Sequence, residues 1–560
     1  MALKDQVLKY RVQLVYLLIA LSVMLPLLKA GFVLTLDMVF TPHVRMPVSV
    51  TSSYLFYTVL HYLNFLIPAD VLEKVILLGI LFLAGYGMHR VVGFVLGRQS
   101  APLGNAELGR HVGGTLYMIN PFTYSRFMAG QFAVLLGYCL LPFLLYSLLA
   151  LAGRPSWRAG LVVAVWITVI GIVSIHTLGL AGVLFVAVLV LAVWRSRHYD
   201  GQFAAVLKFS AVSIGLAFVM SSYWLVPLLL GHGTTDQAIA GFNTGDDQTF
   251  ATLGGSVVGK VANVVRLQGF WAEGHGLFVL PQTHVVGWGL VVLLVWLLVG
   301  AGVVSAWRRQ ARCATAVLLV SAAVGVLLAI GVVNGPLEHA VRLFNGFREP
   351  DKFVGLVALA YAFFAAEGVR AVIDRYERSK QPVRRAAVLC VALLLPVVLT
   401  PTMFWGFGGQ LRTVEYPVSW SAMNTRFNQD SSDFQVLFLP WHLYMYYGFA
   451  GRIIASPAPD FFDKSTLASN LPEIGHASPT DLNPQKLELD KMLPLAAGGT
   501  HLGSRLAPLH IKYVLLDKDD DYRRYGYLNR QTDLRLVSQD NNFMLYINTV
   551  YGEKHEAPNS

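Results

Sequence analysis

Residues 313–333 read CATAVLLVSAAVGVLLAIGVV, residues 354–369 read VGLVALAYAFFAAEGV, and a charged segment, RLFNGFREPDKF (342–353), lies between them. An apolar run of about 20 residues has the length that an α-helix needs to cross the ~30 Å hydrocarbon core of a bilayer. Comparable apolar runs recur up to residue 404. The sequence therefore predicts a polytopic α-helical membrane protein.

The composition supports this prediction. The chain has 560 residues, of which 55% are hydrophobic and 14% are charged, whereas soluble proteins contain roughly 25% charged residues. The net charge is +10, but the basic residues cluster in short segments between apolar runs. The positive-inside rule accounts for basic clusters of this kind, which excludes a nucleic-acid partner. The three cysteines lie in or beside apolar runs and fit neither a disulfide framework nor a zinc site.

Eleven membrane spans are predicted, and their bounds are approximate. They cover residues 12–34, 72–92, 111–120, 131–152, 159–175, 178–194, 204–230, 284–306, 313–333, 353–372 and 386–404. The segments that face the cytoplasm when the N-terminus is inside carry far more Lys and Arg residues than the opposite segments. This asymmetry predicts a cytoplasmic N-terminus in the plasma membrane, and an odd number of spans then places the C-terminal region outside the cytoplasm.

Two domains are predicted: a multi-span domain, 1–404, and an extracytoplasmic soluble α/β domain, 405–560. Strand-like runs occur at 434–441 and 510–518, and a further pair, 534–540 and 543–551, flanks Asn541-Asn542 as in a hairpin. This second domain is interpreted as a lid or a carbohydrate-binding module. The chain contains no G-x-x-x-x-G-K-[ST] motif, which argues against an ATP-driven pump.

Charged residues at membrane depth are costly and often functional, and the first candidate is Asp37 in VLTLDMVFTPHVR (33–45). Two interpretations are open. Asp37 is either an interfacial acid held by a helix end or by Arg45, or a catalytic base that acts on an acceptor. His43 and Arg45 follow it closely and are candidate substrate-binding residues.

Two further candidates lie at predicted span ends. Arg126, in MINPFTYSRFMAGQ (118–131), follows an Asn-Pro helix break. It either binds a phosphate through its two-pronged guanidinium or extends to lipid headgroups. His176, in the turn SIHTLG (174–179), is either a turn residue or part of a substrate site.

The charged segment supplies four more candidates. Glu349 and Asp351 are expected at the N-terminal end of a helix that starts near Pro350, where acids complement the helix dipole. Cations are disfavoured there, so Arg348 and Lys352 are expected to bind an external anion such as a phosphate. The acids of GDD (245–247) suit a hard cation, which leaves a divalent ion open as an alternative.

These stretches resemble membrane glycosyltransferases of the GT-C superfamily. The resemblance is carried by Asp37 in the first loop, by MINPFTYSRFMAGQ, by SIHTLG and by GFREPDKF (346–353). The most similar group is the GT-C core of actinobacterial arabinofuranosyltransferases, together with related large bacterial membrane proteins that glycosylate envelope polymers. LHIKYVLLDK (509–518) and YGYLNRQTDLRLVSQDNNFMLYIN (525–548) resemble the soluble part of the latter proteins.

The resemblance implies transfer of a sugar from a polyprenyl-phosphate donor to a glycan or glycolipid acceptor, with inversion, on the extracytoplasmic face. Asp37 would be the general base. Arg126, Arg348 and Lys352 would bind the donor phosphate, and His43, Arg45, His176, Glu349 and Asp351 would contact substrate. No cofactor and no metal ligand are assigned. Asp37 lacks the second acid that follows it in some members, and the chain is far shorter than the mycobacterial enzymes.

Two other functions remain alternatives at this point. One is a lipid-linked saccharide flippase or secondary transporter, and the other is a non-catalytic protein of envelope polysaccharide assembly. Transporters place polar groups near the midplane and often contain internal repeats. The polar candidates here lie at span ends and no repeat is evident in the sequence, which favours the enzyme.

Overall fold

The structure is a computed structural model that describes residues 2–97, 103–197, 202–309, 311–333, 344, 346–378 and 382–552. Positions 342, 343 and 345 of the charged segment lie outside these ranges. The helices up to residue 399 are α1 (Ala2–Met24), α2 (Tyr54–Asn64), α3 (Ala69–Leu96), α4 (Leu103–Met118), α5 (Pro121–Met128), α6 (Phe132–Gly153), α7 (Trp157–Val173), α8 (Ile175–Arg195), α9 (Phe203–Leu229), α10 (Thr234–Gly241), α11 (Thr244–Thr249), α12 (Val257–Val264), α13 (Pro281–His284), α14 (Trp288–Arg308), α15 (Arg312–Ala329), α16 (Val354–Arg378) and α17 (Pro382–Leu399).

The fold is that of a polytopic helical membrane protein. Each of the eleven predicted spans falls on a helix. Within the described ranges, eight helices are long and apolar enough to cross a membrane, and the bent pair Cys390–Leu399 and Pro401–Gly408 would make a ninth. The helices at the other two predicted spans are shorter, since α4 has 16 residues and α7 has 17. The exact number of eleven spans stays a prediction.

The first predicted span ends earlier than expected. The prediction was 12–34, but α1 ends at Met24 and a short 3₁₀ turn, Leu25–Leu27, follows it. Pro26 lies in this turn, and proline disfavours helical backbone in the residue before it. The residues from 28 to 53 contain no helix. Asp37 therefore lies in an irregular loop well beyond the end of α1.

The C-terminal region contains the predicted sheet. Its elements are α18 (Val418–Gln429), β1 (Gln435–Leu439), β2 (Tyr444–Tyr447), β3 (Arg452–Ala455), α19 (Ala458–Phe461), β4 (Thr466–Leu467), α20 (Pro484–Ala496), α21 (Leu502–Leu506), β5 (Ile511–Asp517), β6 (Leu534–Gln539) and β7 (Phe543–Asn548). One sheet has the order β4-β1-β5-β7-β6, and β2 and β3 form a separate antiparallel pair. The strands at 434–441 and 510–518 and the hairpin around Asn541-Asn542 are confirmed.

The sheet and the helical part share one apolar core. Trp420 of α18 is buried and stacks on Phe462 at a centroid distance of 5.4 Å. The same cluster of buried side chains includes Phe32 from the loop after α1. Phe32 also exchanges two backbone hydrogen bonds with Val414, at 2.7 and 2.9 Å. The apolar core thus crosses the predicted domain boundary at 404/405, which stays a prediction.

Candidate active site

Asp37 lies at the tip of a tight turn that rests on a second loop. The turn is closed by reciprocal backbone hydrogen bonds between Thr35 and Met38, at 3.0 and 3.1 Å, and the Asp37 amide donates to the Ala129 carbonyl at 2.9 Å. Gly130 has φ +76°, and a Cβ there would lie 2.4 Å from the Met38 nitrogen. Only glycine permits this backbone conformation and this close approach without strain. Gly130 therefore fixes the position of the Asp37 turn.

The Asp37 side chain is exposed, and it lines a cavity of about 970 Å³. The cavity has two walls, one from the loop after α1 together with α2, and one from the C-terminal region between 455 and 465. His43 and Arg45 line the same cavity. The guanidinium of Arg45 donates to the carbonyl oxygens of Pro459, at 2.6 Å, and Asp463. Arg45 thus joins the two walls of the cavity.

Arg126 is completely buried and has two acidic partners. Asn120 caps the N-terminus of α5 by accepting from the Thr123 amide at 3.1 Å, which positions the short helix that carries Arg126. The guanidinium donates to Glu349 at 2.9 Å and to Asp351. A buried charge requires close partners of opposite sign. Glu349 and Asp351 therefore neutralise Arg126, in addition to lying near the start of a helix as predicted.

Gln131 connects this buried ion cluster to Asp37. Its Nε2 donates to Glu349 Oε2 at 3.1 Å and to Asp37 Oδ2 at the longer distance of 3.4 Å. Its Oε1 accepts a hydrogen bond from Arg126. One amide side chain therefore contacts the candidate base and both members of the adjacent ion pair.

The two other bases of the charged segment also have acidic partners within the chain. Lys352 is buried and lies 3.5 Å from Glu349. Arg348 lies 3.3 Å from Asp246, and its guanidinium is over the ring of Phe242 at 4.6 Å. Each base therefore has an acidic partner within the chain: Glu349 lies three positions before Lys352, and Asp246 is brought to Arg348 from a distant part of the chain. Their expected role in binding an external anion stays a prediction.

His176 lies beside the charged segment. Its ring contacts the ring of Phe347 edge-on, at a centroid distance of 5.8 Å. Gly179, one turn later in α8, provides the space for Phe347, because a Cβ at this position would lie 2.2 Å from the Phe347 ring. The structure therefore brings His176 to the same cluster as Arg348 and Lys352, and not to the cavity wall.

Burial and neighbouring charges separate the carboxyl groups near the cavity by their pKa values. Although the Asp37 carboxylate opens into the cavity, the protein atoms packed around it desolvate it and raise its pKa to about 6. The charge of Glu349 acts in the same direction, while hydrogen bonds from Tyr444 and Gln131 oppose it. Burial alone would raise the pKa of Glu349, but Lys352 and Arg126 hold it below its usual range. Of these two carboxyl groups, Asp37 is the one whose pKa lies closer to neutral pH.

Two polar contacts of Asp37 were not found from the sequence. Tyr444 Oη donates to Asp37 Oδ1 at 2.6 Å, and Gln131 was quoted within its stretch without being singled out. Tyr444 lies in β2, 407 positions after Asp37, and no local pattern marks it. Glu273, a partly buried acid, accepts from Ser125 Oγ at 2.7 Å, and desolvation raises its pKa to about 7.

Asp246, one of the two acids of GDD (245–247), has a structural role. Asp246 accepts from the backbone amides of Asn243 and Ser478, both at 3.0 Å, and forms a capping box at the start of α11. In the part of the chain that the structure describes, no group of three His, Cys, Asp or Glu side chains is arranged to hold a metal ion.

The structure of the whole chain is similar to that of a known glycosyltransferase. The arabinofuranosyltransferase AftD from Mycobacteria aligns with 96% of this chain at a TM-score of 0.64 and 14% sequence identity. A mutant form of AftD aligns with 98% of the chain at a TM-score of 0.63. The chain shares the fold of AftD. This agrees with the fold that the resemblance to arabinofuranosyltransferases implied, and the chain spans 40% of the length of the AftD chain.

The other comparisons are less extensive. The archaeal oligosaccharyltransferase AglB from Archaeoglobus fulgidus, solved with an inhibitory peptide and a dolichol-phosphate, aligns at a TM-score of 0.46 and 12% identity over 94% of this chain and 71% of its own. A family model described as a 6-pyruvoyl-tetrahydropterin synthase related domain of membrane proteins matches residues 103–241. No curated protein sequence matches the chain. The similarity to AftD therefore rests on structure, and the family model covers a quarter of the chain.

Proposed function

We propose that this protein is a membrane glycosyltransferase that moves a sugar from a polyprenyl-phosphate donor to a hydroxyl group of a glycan or glycolipid acceptor. The observation that carries the proposal is the position of Asp37, whose carboxylate is exposed in a cavity of about 970 Å³ within an AftD-like fold. The positive-inside asymmetry of the loops supports a site on the extracytoplasmic face of the plasma membrane.

Asp37 acts as the general base in this reaction. It takes the proton of the acceptor hydroxyl while the acceptor oxygen forms a bond to the anomeric carbon of the sugar. The bond from that carbon to the donor phosphate breaks on the opposite face, and the phosphate leaves with the electron pair, so the configuration inverts. A carboxylate with a pKa of about 6 is ionised at neutral pH and still basic enough to accept a proton.

The two substrates occupy opposite sides of Asp37. The cavity, with His43 and Arg45 in its wall, receives the acceptor. The donor phosphate binds near Arg348 and Lys352 in the charged segment, which is linked to Asp37 through Gln131 and Glu349. Phosphate oxygens favour cationic partners of this kind. Arg126, whose guanidinium is occupied by two carboxylates, holds Glu349 and Asp351 in place and does not contact the phosphate directly.

The test is sugar transfer by the purified full-length Asp37→Asn variant with a labelled polyprenyl-phosphate sugar. Loss of a general base reduces rates by about 10²–10⁴-fold, and we expect this loss with unchanged donor binding. Glu488→Gln is the matched control, because Glu488 is an exposed acid of α20 away from the cavity. Full transfer by Asp37→Asn would contradict the assignment of the base, and a protein that moves labelled lipid across vesicles without transfer would be a transporter.

A further inference from the structure

The hydrogen bond between Tyr444 and Asp37 is not an isolated side-chain contact. Tyr444 begins β2 and is paired with Ala455 of β3. The Ala455 amide in turn donates to the carbonyl of Leu36, the residue before Asp37, at 2.8 Å. The β2-β3 hairpin is therefore attached to the Asp37 turn through its backbone as well as through the phenol. This double attachment fixes the distance between the hydroxyl group and the carboxylate.

The two oxygens of Asp37 have different surroundings. Oδ1 accepts the short hydrogen bond of 2.6 Å from Tyr444, whereas Oδ2 has a hydrogen bond of 3.4 Å from Gln131. A hydrogen bond at 3.4 Å is weak. Oδ2 is thus the oxygen that can exchange its protein contact for the hydroxyl proton of a bound acceptor.

We propose that Tyr444 is a positioning residue for the Asp37 base: its hydroxyl group holds Oδ1 and directs Oδ2 to the acceptor. The inference rests on the proposed function and deepens it, because it makes the C-terminal region a necessary part of the catalytic site. A hydrogen bond donated to a carboxylate favours the ionised form. Tyr444 therefore also keeps Asp37 ionised in surroundings that would otherwise favour its protonation.

Other groups near Asp37 act on its protonation and stay in place when Tyr444 is changed. Glu349 favours the protonated form and Lys352 favours the ionised form. His43 and Arg45 lie in the wall of the same cavity. A change limited to the Tyr444 hydroxyl group therefore isolates the contribution of its hydrogen bond to the pKa of Asp37.

The test is the pH dependence of transfer by full-length Tyr444→Phe, which removes only the hydroxyl group. Without this donor the pKa of Asp37 rises from about 6, so we expect the acidic limb of the kcat profile to move upward by about one pH unit. The KM for the donor should not change, and at pH 8 and above the rate should return to within a few-fold of the wild type. Tyr446→Phe is the matched control, since Tyr446 lies in the same strand with an exposed side chain.

An acidic limb that does not move would overturn the inference, even if the rate fell uniformly at all pH values. A second measurement is independent of transfer. Difference infrared spectra in the region of the protonated carboxyl stretch, with Asp37→Asn as the reference, follow the titration of Asp37 directly. If the wild type transfers no sugar, the proposed function fails, while the infrared titration still decides whether Tyr444 controls the protonation of Asp37. If Asp37→Asn transfers sugar normally, Asp37 is not the base, and the inference about Tyr444 fails with that assignment. If Asp37→Asn is inactive and Tyr444→Phe titrates as the wild type, only the inference about Tyr444 fails.

Discussion

Asp37 and Glu349 are two carboxylates that share one hydrogen-bond donor, the amide of Gln131, but their surroundings are opposite. Asp37 is exposed in a cavity and has no cation within ion-pair distance among the described residues. Glu349 is buried and lies within 3.5 Å of both Arg126 and Lys352. Two neighbouring carboxylates thus differ because cations lie beside only one of them: Glu349 has a structural role, and Asp37 stays accessible for the role of base that we propose.

Removal of the cation beside Glu349 has the largest expected effect on the free energy of unfolding. Arg126→Met leaves Glu349 and Asp351 buried without their main cation, and removal of one partner from a buried ion pair costs about 3–5 kcal/mol. We expect the free energy of unfolding to fall by this amount, measured by thermal or denaturant unfolding in detergent. Arg426→Met, at an exposed arginine of α18, should change it by less than about 0.5 kcal/mol. Equal free energies of unfolding for the two variants would contradict the structural role of Arg126.

A change that displaces the turn carrying Asp37 should have a smaller effect on stability. Gly130→Ala forces an L-residue into φ +76° and places a Cβ 2.4 Å from the Met38 nitrogen, at a cost of about 1–3 kcal/mol. The Asp37 turn should shift and transfer should fall. Gly409→Ala is a matched control with φ +75° and open space around the added Cβ. If both variants lose the same stability and activity, the close contact between Gly130 and the Asp37 turn contributes to neither.

The smallest expected effect is the pH dependence of transfer by the wild type, which tests the difference in pKa between Asp37 and Glu349. Only the ionised form of Asp37 can accept a proton, and its pKa is about 6. Transfer should therefore be nearly constant above pH 7 and fall about tenfold between pH 7 and pH 5. Glu349, whose pKa is held below its usual range, stays ionised throughout this interval. A rate that rises on acidification would indicate that Asp37 acts as an acid and not as a base.

The helical part was predictable from the sequence because membrane spans are recognised from local composition. The apolar runs at 313–333 and 354–369 became α15 and α16, and the strands around Asn541-Asn542 became a hairpin. Helix ends were harder to predict. The first span was predicted to end at residue 34, but α1 ends at Met24, just before the turn that contains Pro26. Sidedness, which the structure alone does not report, stays a prediction from the loop charges.

The candidate site was only partly predictable. Asp37, Arg126 and the acids and bases of 348–352 were found because charges are rare beside apolar runs. Their pairing was not found, because Arg126 and Glu349 are 223 positions apart and either could have bound a ligand instead. Tyr444 was missed for a related reason. A tyrosine in a strand is common, and only the tertiary structure brings its hydroxyl group to Asp37.

The attachment of the β2-β3 hairpin to the Asp37 turn has a consequence for biosynthesis. Tyr444 follows Asp37 by 407 residues. At 5–20 residues per second, the ribosome needs about 20–80 s to add this length. During that time the membrane helices can assemble while the carboxylate has no phenol beside it. The contact between Tyr444 and Asp37 should therefore form only after the membrane helices between these two residues have been translated.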